Sequence, residues 1–448
     1  MTHAVIIIPG IMGSVLELNG EVIWPGSLLE LKLPYKKMAK LLQPNLVATD
    51  VIRSFSISEQ YQKLIDDLAK CGFREDDNPK TLYVFPYDWR KDNALAADKL
   101  AALVDEAVTQ NGATEISLIG HSMGGLVSRC YLESGTFNTR PGYQSIRRLI
   151  TLATPHRGAP LALSAAMGKE KRLFLNKDQV QLLANDPRYP ALYQLMPPPG
   201  EPFAWNEERA AEFAEVDVYD PVLAKVLGLE EQNLQSARTF HSRLDINNRP
   251  KVQGKPMRYF FFVGTRQTTI SSVTVLQTGA AQYQVNKTEL EEAGDGTVPA
   301  WSACMTGIQG QPVGGEHGTI YRNHLLRRTM AALLGAKGVL AAAPLEVEVA
   351  LRERVVHFTD AVHVALTLGA VVNRLDGNLV IQLAQLDANG NIRTTDVAAY
   401  PIKYSGLDAE KLNVVFDAPG FPGFYRVAYV PDGFDHPAGS DELIVQQD

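Results

Sequence analysis

A serine lies between two glycines in the segment Gly120–Gly124, which reads GHSMG. The segment follows the apolar run Ile116–Ile119 and precedes GLVSRCYLE, a predicted helix. A strand, a sharp turn and a helix are the setting in which a G-x-S-x-G serine is exposed as a nucleophile. We therefore predict that Ser122 attacks a carbonyl carbon. The alternative is a glycine-rich turn that carries no nucleophile.

A serine hydroxyl attacks only weakly until a neighbouring base takes its proton. After such a turn the partners follow in the order serine, acid, histidine. Two histidines satisfy that order, His317 in the loop GGEHG and His324 in the helical stretch IYRNHLLRRTM. We predict His317 as the base, because a loop lets the ring reach the hydroxyl. The other histidines precede the acid or belong to a second domain: His3, His121, His156, His241, His357, His363 and His436.

The acid that orients the imidazole is predicted to be Asp295 in GDGTVP. It lies 22 residues before His317 and follows the apolar run Tyr259–Val263. The flanking glycines allow a tight turn that aims the carboxylate inward. An ordinary Asp-Gly turn is the alternative interpretation, and Asp245 and Glu316 are weaker candidates for the acid.

Acyl transfer also requires N–H donors for the oxyanion that forms at the carbonyl oxygen. The residue after the nucleophile, Met123, supplies one backbone N–H. The second is expected from the turn after the first strand, Pro9–Gly13 (PGIMG), and we assign it to Ile11. Met12, in the same turn, is predicted to contact the substrate.

Five apolar runs bounded by turn residues are predicted to be buried strands of a parallel sheet. They are Ala4–Ile8, Leu82–Phe85, Ile116–Ile119, Leu149–Leu152 and Tyr259–Val263. Between them, Gln60–Lys70 and Ala94–Thr109 repeat apolar residues at three- and four-residue spacing, which indicates amphipathic helices. Strands that alternate with helices predict a doubly wound, mostly parallel α/β domain over residues 1–338.

The regular pattern lapses between residues 160 and 250, where helical stretches such as Asp178–Leu183 alternate with Pro-rich ones such as Met196–Gly200. A long insertion after a sheet strand is where a lid or cap over an active site would lie. The alternative is a set of packing helices without a gating role.

Residues 345–448 have a different pattern, that of short strands separated by turns. Leu345–Leu351 alternates apolar and charged residues, and Asp387–Asn391 (DANGN) is a turn signal. Further strands are expected at Leu379–Leu386, Val414–Phe416 and Phe424–Val430. About seven short strands in such a length predict an all-β sandwich, of the immunoglobulin-like kind. The alanine-rich Val339–Pro344 is the predicted linker.

The 448-residue chain has a formal net charge of −7, which argues against nucleic acid as a partner. Its cysteines, Cys71, Cys130 and Cys304, lack paired spacing, so we predict no disulfide framework, metal site or cofactor. The first residues lack the features of a secretory signal, and we expect a cytoplasmic protein. The lysine- and leucine-rich Leu31–Leu42 is expected either to touch a membrane surface transiently or to form a solvated face.

Several segments resemble the lecithin:cholesterol acyltransferase family, which includes lysosomal phospholipase A2. In order they are Val5–Glu17 (VIIIPGIMGSVLE), Phe85–Arg90 (FPYDWR), Gly120–Gly125 (GHSMGG) and Gly294–Pro299 (GDGTVP), within a resemblance over residues 4–335. It implies an α/β-hydrolase fold that hydrolyses or transfers fatty acyl groups of phospholipids or similar esters. It implies Ser122, Asp295 and His317 as the triad, with Ile11 and Met123 as oxyanion donors. Ala153–Pro160 is similar to a turn found in many lipases.

Within FPYDWR, an ion pair of Asp88 with Arg90 is the structural expectation. Trp89 either packs against that loop or lines the acyl pocket, and we assign it to substrate binding.

The sequence thus predicts a serine acyl-ester hydrolase, a phospholipase A or lipase, or a lipid acyltransferase, that forms an acyl-enzyme on Ser122. A lipid or another acyl ester is the expected partner. The alternative is a hydrolase-fold protein with little catalysis, whose C-terminal domain binds an unknown protein partner or targets the chain.

Overall fold

A computed structural model describes residues 2–26, 35–55, 58–59, 61–209, 212, 214–279, 282–305, 307–336, 347–386, 392–433 and 437–446. Its strands up to the end of the first sheet are β1 (Thr2–Ile8), β2 (Ser14–Leu18), β3 (Glu21–Trp24), β4 (Val47–Val51), β5 (Ser54–Phe55), β6 (Ser58–Glu59), β7 (Leu82–Val84), β8 (Ala113–His121), β9 (Ile146–Leu152), β10 (Ala204–Asn206), β11 (Lys251–Val252), β12 (Lys255–Pro256), β13 (Arg258–Thr265), β14 (Gln267–Gly279), β15 (Gln282–Gly294) and β16 (Gly310–Gly314). The helices are α1 (Met38–Leu41), α2 (Tyr61–Lys70), α3 (Asn93–Thr109), α4 (Met123–Glu133), α5 (Pro160–Ala166), α6 (Lys177–Ala184), α7 (Pro221–Val226), α8 (Glu231–His241) and α9 (His324–Leu333).

The first domain is built on a six-stranded parallel sheet, in the order β16-β13-β9-β8-β1-β7. The predicted α/β sheet is confirmed, and each of the five apolar runs lies in one of its strands, except that β7 ends one residue before Phe85. The sixth strand, β16, was not predicted, since its sequence GQPVG has no apolar run. Carboxyl ends of parallel strands meet at one edge, so the residues that follow β8, β13 and β16 are brought together there.

Helices cover both faces of this sheet, because alternate strand residues point to opposite sides. Ile6 and Ile8 of β1 pack with α3 and α4 on one face. Val5 and Ile7 pack with α2 and α9 on the other. Each face is therefore closed to water, as the continuous apolar runs indicate.

Two features between β9 and β16 differ from the sequence expectation. The hairpin β14–β15 separates β13 from Asp295, so the aspartate does not follow Tyr259–Val263 directly. The irregular segment 160–250 contains four α-helices, α5 to α8, and two of them, α5 and α6, lie beside the site described below. Helix α6 matches the stretch expected at Asp178–Leu183.

Among the described residues, no helix is long and apolar enough to cross a membrane.

The C-terminal domain is all β, as predicted, but its strands are longer than expected. They are β17 (Val347–Leu351), β18 (Val355–His357), β19 (Ala361–Leu386), β20 (Ile392–Asp417), β21 (Gly423–Pro431) and β22 (Gly439–Gln446). These strands form one sheet, β17-β19-β21-β22-β18, with β20 paired to β19. Register shifts near the middle of the β19–β20 pairing divide the long hairpin into two parts, both of which contribute to one apolar core. The predicted linker Val339–Pro344 and turn Asp387–Asn391 lie outside the described residues.

Candidate active site

Ser122 lies at the sharp turn between β8 and α4. Its backbone has φ 53° and ψ −126°, a conformation that is strained for a residue with a side chain. The Ser122 N–H is held by the carbonyl of Leu152 at 2.8 Å, and α4 begins at the next residue. The turn thus presents the hydroxyl at the carboxyl edge of the sheet, in the strand–turn–helix setting of a nucleophilic serine.

His317 connects Ser122 to Asp295 through its two ring nitrogens. Nε2 lies 2.9 Å from Oγ of Ser122, and Nδ1 lies 2.9 Å from Oδ2 of Asp295. The backbone N–H of His317 also donates to the Asp295 carbonyl at 2.9 Å. With a proton on Nδ1, the ring donates to the carboxylate and leaves Nε2 free to accept the serine proton.

The Asp295 carboxylate is fixed by its own turn. Oδ1 accepts the backbone N–H groups of Thr297 at 3.0 Å and Val298 at 2.7 Å, and the side chain is fully buried. Gly264, at the end of β13, lies against the Asp295 side chain. Because one carboxylate oxygen is occupied by backbone donors, the other is aimed at the imidazole.

The pKa of His317 reflects two opposing effects. Burial lowers the pKa of His317, but the charge and hydrogen bond of Asp295, together with the charge of Glu316, raise it above its ordinary value. The arrangement therefore favours the imidazolium form, the form that a base acquires after it takes a proton.

The two predicted oxyanion donors, Met123 and Ile11, lie in segments next to Ser122. Met123 is the first residue of α4, so its N–H has no acceptor within the helix. Ile11 lies in the turn Gly10–Gly13, closed by the Gly13 N–H and the Gly10 carbonyl at 3.1 Å. A Cβ on Gly10 would be 2.8 Å from the Ser122 Cβ, so only glycine permits this approach.

A buried network that sequence reasoning missed joins this turn to the His317 loop. The Gly10 N–H donates to the Tyr61 hydroxyl at 2.9 Å, and the hydroxyl contacts Nδ1 of His121 at 2.7 Å. Nε2 of His121 lies 3.0 Å from the His317 carbonyl. Burial and the neighbouring His317 lower the pKa of His121 to about 3, so the ring is neutral and donates from Nε2. The position of His121 inside GHSMG was the available signal.

Ser122 and His317 open into a cleft of about 1160 Å³. Met12 and Trp89, the predicted substrate contacts, both line it, and Trp24 donates its indole N–H to the Met12 carbonyl at 2.9 Å. Apolar side chains of α5, α6 and the segment after them form much of one wall: Leu161, Ala162, Ala165, Val180, Leu183, Leu192 and Leu195. The cleft is therefore shaped to bury an apolar group.

The other residues singled out from the sequence take no part in the hydrogen bonds that join Ser122, His317 and Asp295. Asp88 and Arg90 form the expected ion pair, buried, with N–O distances of 2.8 and 2.7 Å. Asp245 caps the short helix that follows it, and Glu316 precedes His317 without replacing Asp295. His324 is the first residue of α9, and its side chain lies outside the described set. Within the described ranges, no group of three or more His, Cys, Asp or Glu side chains could hold a metal ion.

Residues 46–239 match the sequence model of the family "Lecithin:cholesterol acyltransferase". The chain is similar to that family over these residues. Among curated relatives, "Lecithin-cholesterol acyltransferase-like 4" of Arabidopsis thaliana is 26% identical over 321 residues, which cover 60% of this chain and 58% of the relative. The chain thus spans about 58% of the length of that lecithin:cholesterol acyltransferase-like protein.

Two further proteins are similar to this chain. "Phospholipase A(1) LCAT3" of Arabidopsis thaliana is 27% identical over 160 residues, 33% of each chain. A serine hydrolase structure from the bacterium Cycloclasticus zankles covers 74% of this chain and 90% of its own, at 10% identity and a TM-score of 0.32.

Proposed function

We propose that the protein cleaves fatty acyl esters of phospholipids or other lipids through an acyl-enzyme on Ser122. The observation that carries the proposal is the continuous hydrogen-bonded chain from Ser122 through His317 to Asp295, with both distances at 2.9 Å. Ser122 lies within residues 46–239, which match the lecithin:cholesterol acyltransferase family model, and this similarity supports the same chemistry.

In the first half of the reaction, Oγ of Ser122 bonds to the ester carbonyl carbon while Nε2 of His317 takes its proton. The carbonyl electrons move onto oxygen, and the N–H groups of Met123 and Ile11 stabilise that oxyanion. When the intermediate collapses, the ester C–O bond breaks, and His317 gives its proton to the departing alkoxide. The products are an alcohol and the acyl-enzyme.

In the second half, His317 takes a proton from water as the water oxygen attacks the acyl carbon. Collapse releases the fatty acid and returns the proton to Ser122. An alcohol in place of water gives a new ester, which is acyl transfer. We propose hydrolysis rather than acyl transfer as the main reaction, because water requires no acceptor pocket.

Two observations support lipid esters as the substrate class. The cleft is large and partly apolar, as binding of an acyl chain requires. Relatives carry the names "Phospholipase A(1) LCAT3" and "Triacylglycerol lipase", the latter from Pseudarthrobacter phenanthrenivorans at 32% identity over 91 residues. Both names describe cleavage of fatty acyl esters.

The test compares wild type with Ser122→Ala on phosphatidylcholine vesicles and on triacylglycerol emulsions, with released fatty acids identified by mass spectrometry. We expect release by wild type and loss of it in Ser122→Ala. Ser134→Ala, a serine change at the other end of α4, is the matched control and should keep activity. Equal fatty acid release by wild type and Ser122→Ala contradicts the proposal, and added long-chain alcohol separates transfer from hydrolysis.

A further inference from the structure

The C-terminal sheet contacts the short loop that carries His317. Nη2 of Arg354, just before β18, lies 3.2 Å from Oε2 of Glu316. Glu316 is the residue immediately before His317. This ion pair therefore connects the C-terminal domain to the residue next to His317.

Arg354 is itself held inside the C-terminal domain. Its Nε lies 3.3 Å from Oδ1 of Asp441, whose side chain is fully buried. Oδ2 of Asp441 accepts the Leu351 N–H at 3.0 Å. From the first domain, Nη1 of Arg322 donates to the Ser440 carbonyl at 3.3 Å. Each domain thus places an arginine side chain against the other across one interface. The contact with Asp441 restricts the Arg354 side chain to a position beside Glu316.

The backbone of the same loop is also enclosed by the C-terminal sheet. Gly315 has φ 141°, and a Cβ there would lie 3.0 Å from Oε1 of Glu348 in β17. A Cβ on Gly318 would lie 3.3 Å from Nη1 of Arg354. The sheet therefore packs against the residues on both sides of His317, not only against Glu316.

The two domains share buried apolar surface and a common cleft. Ala384, Phe424 and Ile444 are buried in the same apolar cluster as the core under the parallel sheet. Side chains of the C-terminal sheet line the cleft that holds Ser122, among them Val356, Val364, Ala365, Val414 and Ile444. Substrate that enters this cleft meets both domains.

We propose that the C-terminal sheet is a working part of the ester site, in which Arg354 is a positioning residue that holds the His317 loop through Glu316. The proposal rests on the proposed function, because it assumes that His317 is the base for Ser122. It differs from a targeting or partner-binding role for this domain, because such a role requires no contact with the base loop.

The first test measures hydrolysis of a short chromogenic ester, p-nitrophenyl butyrate, by the full chain and by Arg354→Met. Misplacement of a catalytic group by about 1 Å can cost about 100-fold in rate, so we expect kcat to fall about 10- to 100-fold. The KM for this small ester should change little. Arg354→Lys keeps a cation near Glu316 and should recover part of kcat.

Arg374→Met is the matched control. Arg374 lies in β19, is 74% exposed and pairs with Asp376 at 2.5 Å. It should keep wild-type kcat and KM. Circular dichroism melting of all variants separates lost positioning from lost folding.

A second variant keeps the test decisive if Arg354→Met does not fold. Burial raises the pKa of Glu316 and Arg354 lowers it, while the charge of Glu316 raises the pKa of His317. Glu316→Gln should therefore move the acid limb of the kcat/KM profile to lower pH and lower kcat. An effect on folding alone does not move that limb.

The proposal is overturned if folded Arg354→Met keeps wild-type kcat, or if Glu316→Gln leaves both kcat and the acid limb unchanged. If Ser122→Ala is inactive while these variants behave as wild type, the positioning role fails and the proposed function stands. If Ser122→Ala keeps wild-type turnover, the proposed function itself fails.

Discussion

His317 is held from two regions of the molecule by different kinds of contact. Within its own domain, Asp295 is 22 residues away, fully buried, and fixed by two backbone N–H donors. From the C-terminal sheet, Arg354 is 38 residues from Glu316 and acts through a partly exposed side-chain ion pair. The inner contact touches the ring itself, whereas the outer one touches the neighbouring residue. The inner contact should set which nitrogen of the His317 ring carries the proton, and the Arg354 contact should set the position of the His317 loop.

The largest expected effect comes from breaking the inner contact. Asp295→Asn retains the shape of the side chain, but its amide favours the wrong tautomer of His317. We expect kcat on p-nitrophenyl butyrate to fall by about 10⁴-fold. Asp76→Asn changes an exposed aspartate paired with Arg74 and should have no effect. If Asp295→Asn lost no more than Arg354→Met, the division between the inner and outer contacts would be wrong.

A smaller loss of activity is expected from Tyr61→Phe, because Tyr61 contacts both the Gly10 turn and His121, the residue before Ser122. The change removes the hydroxyl that accepts the Gly10 N–H and contacts His121. Loss of an oxyanion donor itself lowers the rate by about 100–1,000-fold. Because Tyr61→Phe only loosens the turn that carries the Ile11 donor, we expect kcat to fall by about 10-fold.

The control for this change is Tyr131→Phe in α4. The Tyr131 hydroxyl is buried and has no hydrogen-bond partner in the described part of the chain. Turnover of p-nitrophenyl butyrate checks both variants. Equal turnover by Tyr61→Phe and wild type would show that the Tyr61–His121 network does not hold the oxyanion loop.

The pH profile sharpens the comparison without any substitution. Protonated His317 cannot accept the serine proton, and Asp295 and Glu316 outweigh burial in raising the pKa of His317. Wild-type kcat/KM should therefore fall as the pH drops, with a midpoint above the ordinary histidine value of about 6.5. A rate that stays constant down to pH 5 would exclude His317 as the base.

The smallest effect is expected at the cleft wall that the C-terminal sheet supplies. Val415 lines the cleft and is exposed, so Val415→Trp narrows the opening with little cost to folding. We expect a severalfold rise in KM for a long-chain p-nitrophenyl ester and little change for the butyrate. Val397→Trp, at an exposed valine outside the cleft lining, is the control. An equal response by the two variants would argue that acyl chains do not reach this wall.

Much of the first domain was predictable because its chemistry follows local sequence. Strands buried on both faces give continuous apolar runs, so β1, β8 and β9 were found. The order serine, acid, histidine selected three side chains that the structure brings together. The hairpin β14–β15 was not predicted, and neither was β16.

The C-terminal strands and the contacts between domains were harder to predict for physical reasons. In β19 and β20, apolar residues such as Val371 and Val397 are exposed, so the apolar pattern marks strand length poorly. Tyr61 and Arg354 have no local signal, because their partners come from distant parts of the chain. Only three-dimensional packing reveals such contacts.

The most direct test is to trap the acyl-enzyme. Wild-type protein is mixed with p-nitrophenyl butyrate, quenched with acid within one turnover, digested and analysed by mass spectrometry. The account predicts one butyryl group on the peptide that contains Ser122, and none on that peptide from Ser122→Ala. A butyryl group found only on another residue, or ester turnover with no acyl-enzyme at any quench time, would contradict it.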